Sequence, residues 1–338
     1  MRIAVTGAGR IGSMHAVNLA AVPDVTQVLL HDPVPGRAAQ LAAGLTAAGA
    51  AATVRAVDHL DQALAADGVL IATPTPSHAP VLQRCLQAGV PALCEKPLAG
   101  DLITMLSVVE QVEASGVPVL VGFQRRFDPA IAELKRRIVA GELGTVYLVR
   151  ALAMDATPPD PAYLPTSGGI YRDLFIHDLD AVPWLVGEPV IEVHAVGSVL
   201  VDQAFADAGD VDTAVVTLRF AGGAIGQLAG GRQDGVGYDH RIEVIGSRDA
   251  LAVGVDPRTP LNSLEPGGHR AGPDAYPGFP ERFAAAYARE MQVFCDVIAG
   301  RAENPSPARD SLISLRLAEA CDQSLRSGVP VRLEARDG

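Results

Sequence analysis

Two side chains in the stretch Gly168-Gly169-Ile170-Tyr171-Arg172-Asp173-Leu174-Phe175-Ile176-His177-Asp178-Leu179-Asp180 have the types and spacing for acid–base work. Asp173 and His177 are four apart, and positions four apart share one face of a helix. An imidazole changes charge near neutral pH, as a general base must. The plainer reading is a helix with a solvated acidic face and an incidental histidine. A third group, Lys96, follows a β-prone run in Cys94-Glu95-Lys96-Pro97-Leu98. At a strand end its ammonium can hold a hydroxyl oxygen and ease removal of the proton. Its plainer reading is a charged surface side chain. The peptide before Pro97 is a candidate cis bond.

A second set of residues suits a dinucleotide. Met1 to Thr6 is short and β-prone and runs into Gly7-Ala8-Gly9-Arg10-Ile11-Gly12, which opens a helical pattern to about Ala21. In G-x-G-x-x-G the first glycine makes the tight turn, the second admits a pyrophosphate, and the third lets helix and strand pack closely. The helix N-terminus offers unpaired N–H groups to the anion. The motif alone is weak and has a ligand-free turn as its alternative, but an acid stands where a ribose ligand is expected. Asp32 ends the apolar run Val28-Leu29-Leu30-His31, where it can accept from both ribose hydroxyls and repel a 2′-phosphate. This favours NAD over NADP. Arg37 could offset the repulsion, or simply be a solvated helix residue. In Thr73-Pro74-Thr75-Pro76-Ser77-His78 the threonines can bond a ribose and Ser77 can cap the next helix. His78 has a purely structural alternative.

The elements that must position these groups alternate. Strand-like runs at 53–57, 68–72, 92–94 and 117–121 are separated by helical patterns at 35–48, 59–66, 77–89 and 101–115. This predicts an α/β, doubly wound parallel Rossmann sheet over residues 1–122, with ligands at the carboxyl ends of its strands. The second domain, 123–338, reads differently. A helix is expected at 129–140, a strand at 145–153, a proline-rich loop at 157–165, and one helix between Gly168-Gly169 and Gly187. Strand runs at 190–201, 212–220, 224–230, 241–245 and 250–255 follow without helices between them, so a large, mostly antiparallel open sheet of an α+β domain is expected. An open sheet with one face uncovered predicts a homo-oligomer, a dimer or tetramer. A loop at 256–280 and helices at 281–299 and 307–327 close the chain.

Bulk properties narrow the function. The formal charge of -12, with no extended basic cluster, argues against nucleic acid and anionic membrane as partners. No apolar run is long enough for a bilayer, and Met1-Arg2 leads straight into a strand rather than a signal peptide, so a cytoplasmic protein is expected. Cys85, Cys94, Cys295 and Cys321 are scattered, without CxxC, and read as buried thiols. No histidines are paired at i,i+4 and no metal constellation is expected.

Taken together, GAGRIG at 7–12, Asp32, TPTPSH at 73–78, EKP at 95–97, GFQRRFDP at 122–129, GGIYRDLFIHDLD at 168–180 and GYDHRIEVIGS at 237–247 resemble the Gfo/Idh/MocA family of nicotinamide-dependent oxidoreductases. Within it the chain is most similar to inositol 2-dehydrogenases. The resemblance implies that Lys96, Asp173 and His177 are catalytic. The histidine would take the hydroxyl proton of a cyclic polyol, while lysine and aspartate orient it and the substrate. It implies that Gly7, Gly9, Arg10, Ile11, Gly12, Asp32, Thr73, Pro74, Thr75, His78, Glu95, Lys96 and Gln124 hold NAD, and that Arg125, Asp155 and Tyr238 lie near the substrate. One departure concerns the polyol pocket: Ala153-Met154-Asp155 replaces the Ser-Arg-Asp common in this subtype, removing two polar groups that could line it. Another is Asp310-Ser311 in place of Asp-Gly, which reads as structural. The substrate is therefore expected to be myo-inositol, a related cyclitol, a sugar or a modified sugar. An NAD-dependent glycosidase on the same scaffold and a non-catalytic NAD sensor are the rival functions; the intact Lys/Asp/His set speaks against the sensor.

Overall fold

The computed structural model describes residues 1–334. Six strands, β1 (Arg2–Thr6), β2 (Gln27–His31), β3 (Thr53–Ala56), β4 (Gly68–Ile71), β5 (Ala92–Glu95) and β6 (Val119–Gly122), form one sheet in the order β3-β2-β1-β4-β5-β6. Every pairing in it is parallel. The strands are near-continuous runs of buried residues, Ile3, Val5, Val28, Leu30, Leu70 and Leu93 among them, because helices cover both faces. This is the doubly wound Rossmann sheet expected from the alternation. Its strand order reverses between β1 and β4, the point at which such sheets bind ligands.

Chain contacts divide the molecule into Met1–Asp128 with Ala285–Leu312, and Pro129–Ala284 with the chain from Ile313 onward. The return of 285–312 to the first sheet is a long-range event. Met291, Phe294 and Cys295 of the Ala284–Ile298 helix enter the core beside β1 and β4.

The second sheet contains β7 (Val146–Met154), β8 (Val190–Ser198), β9 (Thr213–Phe220), β10 (Ile225–Gly231), β11 (Asp239–Gly246), β12 (Ala250–Val253) and β13 (Val331–Arg332), in the order β12-β11-β7-β10-β9-β8-β13. Only β10 and β7 run parallel; the other pairs are antiparallel. The period-two pattern of β9, with Ala214, Val216, Leu218 and Phe220 buried, places helices on one face. Val196, Val215 and Ile225 share the other face, with Arg150 bonded to Glu243.

The single helix expected between Gly168-Gly169 and Gly187 is instead two, Ile170–Asp173 and Ile176–Val186. Phe175 N–H bonds to the Ile170 carbonyl, one residue beyond the α-helical partner. The shift falls among Leu174, Phe175 and Ile176, all three buried. Among the described residues no helix is long and apolar enough to cross a membrane.

Candidate active site

In the first unit every expected nucleotide-side residue lies on the carboxyl edge of the sheet. Gly7 has φ +95, a left-handed conformation that favours glycine, and a Cβ there would lie 2.5 Å from the Ala72 carbonyl oxygen. A Cβ on Gly12 would come within 1.8 Å of the Gly7 oxygen, so the strand–turn–helix closes only with glycine at both places. A Cβ on Gly9 would meet nothing within 4 Å. The turn is thus tight where the protein packs on itself and open where a pyrophosphate is expected. Gly9 caps the Arg10–Ala21 helix without a side-chain bond, leaving its first N–H groups, on Arg10, Ile11 and Gly12, at that opening.

Asp32, at the end of β2, is held in place by backbone donors. Its Oδ2 accepts from Ala8 N at 2.7 Å and its Oδ1 from Val34 N at 2.8 Å, while half-exposed Arg37 stands 3.5 Å from Oδ2. After β4, the buried hydroxyl of Thr73 has no hydrogen-bond partner among the described residues. Thr75 opens a short 3-10 turn with Pro74 before it. A buried hydroxyl without a partner is costly unless a ligand bonds it. The open turn, the unpartnered Thr73 hydroxyl and the fixed Asp32 carboxylate together fit the pyrophosphate and ribose hydroxyls of NAD. His78 is engaged within the protein: its Nδ1 lies 2.7 Å from the Pro97 oxygen and its Nε2 2.7 Å from the Thr73 oxygen, so it ties the two strand-end loops together. The Lys96–Pro97 peptide is cis, as expected.

Lys96 is half-buried at the end of β5. Beside it, Glu95 Oε1 lies 2.6 Å from Nε2 of fully buried His15. Burial pushes the Glu95 carboxyl upward, but the His15 hydrogen bond and charge, with Lys96 and His78, outweigh this and hold it below the usual carboxylate range. Gln124 and Arg125, in a 3-10 turn after β6, are almost wholly buried. Arg126 bonds Asp310 at 2.6 Å, and Ser311 is buried, in keeping with the structural reading of that pair.

In the second unit, Gly168 and Gly169 have φ +83 and +86, and Ile170 N–H donates to Asp210 Oδ1 at 3.0 Å. These contacts set the start of the segment carrying Asp173. Arg172 pairs with Asp322, fastening the same turn to the C-terminal helix. Asp173 Oδ1 accepts from Tyr163 Oη at 3.1 Å. His177 is half-buried in the first turn of the Ile176–Val186 helix.

Sequence reading missed Arg232, which follows β10. Its side chain is 3% exposed; Nη1 lies 3.2 Å from Asp155 Oδ2 and Nη2 3.0 Å from Asp173 Oδ2. Burial alone works against the charged guanidinium, but Asp173 and Asp155 outweigh it and hold the group above its ordinary value. Asp155 and Asp173 are thereby brought to one cation. Tyr238 is buried; its N–H bonds the Tyr276 carbonyl oxygen and its ring meets Phe283 edge-on.

The two substituted positions, 153 and 154, fall on opposite faces of β7. Ala153 is fully buried and Met154 belongs to the opposite face of β7, in register with Gly231. Only Asp155 reaches the Arg232 cluster.

Comparison with known proteins decides the family. Residues 1–123 match the oxidoreductase family with an NAD-binding Rossmann fold, and residues 131–252 match the GFO/IDH/MocA C-terminal domain. The chain belongs to the GFO/IDH/MocA oxidoreductase family. As a member it is an NAD-dependent oxidoreductase, and its first domain binds that cofactor. This GFO/IDH/MocA chain is 39% identical over 334 residues to myo-inositol dehydrogenase Hyg17 of Streptomyces leeuwenhoekii, covering 98% of this chain and 99% of that one. It is 34% identical to the myo-inositol 2-dehydrogenase of Thermotoga maritima, covering 99% of each. The crystal structure of a myo-inositol dehydrogenase from Corynebacterium glutamicum superimposes with TM-score 0.88 at 34% identity, covering 99% of each chain.

Proposed function

We propose that this enzyme, which acts on CH–OH donors with NAD, oxidises a secondary alcohol of a cyclic polyol, myo-inositol or a related cyclitol or sugar, to the ketone. The observation that carries the reading is Asp173, fixed by Arg232 and Tyr163 at the end of the short helix before the one that carries His177. The names of the full-length relatives support it.

In this reading His177 takes the hydroxyl proton. Lys96 stabilises the charge that develops on the oxygen, and Asp173 orients the substrate. Bound NAD supplies the hydride acceptor for the same carbon. Gly7, Gly9, Arg10, Ile11, Gly12, Asp32, Thr73, Pro74, Thr75, His78, Glu95, Lys96 and Gln124 serve the cofactor. Arg125, Asp155 and Tyr238 serve the polyol. The uncovered face of the second sheet, with Val196, Val215 and Ile225, supports a homo-oligomer, a dimer or tetramer, which light scattering tests. Four free, buried cysteines suit a cytoplasmic enzyme.

The test is absorbance of NADH with a panel of free inositols and sugars. Net NADH formation separates a dehydrogenase from a glycosidase that oxidises only transiently. Lys96→Ala and His177→Ala should each lower turnover on the order of 10³-fold, with NAD affinity nearly unchanged in His177→Ala and weakened in Lys96→Ala. If either variant keeps most of its activity, these roles are wrong.

A further inference from the structure

Arg232 is more than a counter-ion. One guanidinium here faces two carboxylates, one on each terminal nitrogen. The cation itself is 3% exposed, while the Asp155 and Asp173 side chains remain 24% and 19% exposed. The charge that organises the cluster is hidden and the acceptors it organises are presented. The guanidinium is a planar, rigid group: Nη1 donates to Asp155 and Nη2 forms a 3.0 Å ion pair with Asp173, so both carboxylates are held to one frame.

The cluster is also built from three separate elements. Asp155 follows β7, and its N–H bonds the Gly231 carbonyl. Asp173 ends the Ile170–Asp173 helix and is steadied by Tyr163. Arg232 follows β10, and its own N–H bonds the Asp212 carbonyl. Each carboxylate is thus anchored through backbone or a second side chain, and Arg232 is the group common to both.

We propose that Arg232 is a positioning residue that sets Asp155 and Asp173 as paired acceptors for two neighbouring hydroxyls of one ring, so that the enzyme selects vicinal diols over isolated secondary alcohols. The inference rests on the polyol reading above. A lone alcohol can bond only one of the two presented carboxylates and so gains only one charged hydrogen bond. A ring with adjacent hydroxyls satisfies both. Lysine in place of Arg232 keeps the charge but has no fork, so it restores attraction without direction.

The experiment compares wild type, Arg232→Lys and Arg232→Gln with myo-inositol and with deoxyinositols lacking one hydroxyl next to the oxidised carbon. Wild type should prefer myo-inositol by about 10- to 100-fold in kcat/KM, the range of one charged hydrogen bond. Arg232→Gln should lose most of that preference through KM, with NAD affinity unchanged, and Arg232→Lys should fall between. A uniform loss of activity with the preference intact would reduce Arg232 to a structural role. The ligand-free crystal structure of Arg232→Gln gives a second readout. The two carboxylates should move apart; if they stay in place, Arg232 does not position them. Wild type that reduces no NAD with any cyclitol would count against the polyol reading instead, leaving this structural arm to stand or fall by itself.

Discussion

His15 and Glu95 meet at 2.6 Å, Nε2 to Oε1, in the first unit, directly before Lys96 in the chain. The imidazole is fully buried and the carboxylate is 15% exposed, so this pair is poorly screened by water. Its contribution has a definite pH sign. The Glu95 carboxyl is held below its ordinary value in the folded protein, so the stabilisation is present above the usual carboxylate range and is lost as pH falls through the depressed value. His15→Leu takes the 2.6 Å hydrogen bond from a partly desolvated carboxylate, and should cost about 3 kcal/mol at pH 7. The difference from wild type in urea unfolding should shrink below about pH 4. A difference that stays constant across that range would show that packing, not the pair, is what His15 supplies.

Glu290 gives the opposite sign. It is fully buried, and neither carboxyl oxygen has a hydrogen-bond partner among the described residues. Burial, with repulsion from Glu95, pushes it well above the usual carboxylate range. Between the unfolded and folded values only the unfolded chain ionises, so Glu290 erodes stability as pH rises. Glu290→Gln keeps the shape and removes that erosion. It should be close to wild type near pH 4.5 and more stable by about 2 kcal/mol at pH 8, again read by urea unfolding. A variant less stable than wild type at both pH values contradicts a neutral Glu290.

These two groups mark the limit of what the chain discloses. The Rossmann half was legible because its signals are local: G-x-G-x-x-G sits between a β-run and a helix, and Asp32 ends the next strand. Glu290 was in principle legible too. It lies at helical spacing from Tyr287 and Phe294, in a stripe of otherwise apolar core positions of the Ala284–Ile298 helix. Arg232 was not legible. Nothing in Gly230-Gly231-Arg232 points to Asp155 or Asp173, which reach it only through the pairing of β10 with β7 and the packing of the Ile170–Asp173 turn. The broken helix was missed for a related reason. Leu174, Phe175 and Ile176 fit a helical period, and no residue type among them marks the bond from Phe175 N–H to the Ile170 carbonyl at which the chain shifts.

Asp32 tests cofactor choice. Its carboxylate occupies the end of β2 with Arg37 3.5 Å away and half-exposed. Asp32→Ser removes the repulsion toward a 2′-phosphate and releases Arg37 to meet one. The kcat/KM for NAD should fall by roughly tenfold or more, while that for NADP rises, as measured with the same polyol. If both fall in parallel, Asp32 is holding the Ala8 and Val34 backbone rather than discriminating between cofactors.

The glycines of the first turn separate what the fold needs from what the cofactor needs. A methyl on Gly12 would overlap the Gly7 carbonyl at 1.8 Å, a backbone atom with nowhere to go. Gly12→Ala should therefore lower the melting temperature and NAD affinity together, through displacement of helix from strand. A methyl on Gly9 meets nothing within 4 Å and needs no left-handed backbone, since φ is -78 there. Gly9→Ala should fold as the wild type does, with melting temperature unchanged. Its methyl would nevertheless stand where a pyrophosphate approaches the helix N-terminus, so NAD affinity by calorimetry should fall by about tenfold or more. The divergence is the point of the pair. Unchanged NAD affinity in Gly9→Ala would mean that the space above Gly9 is not where the pyrophosphate lies.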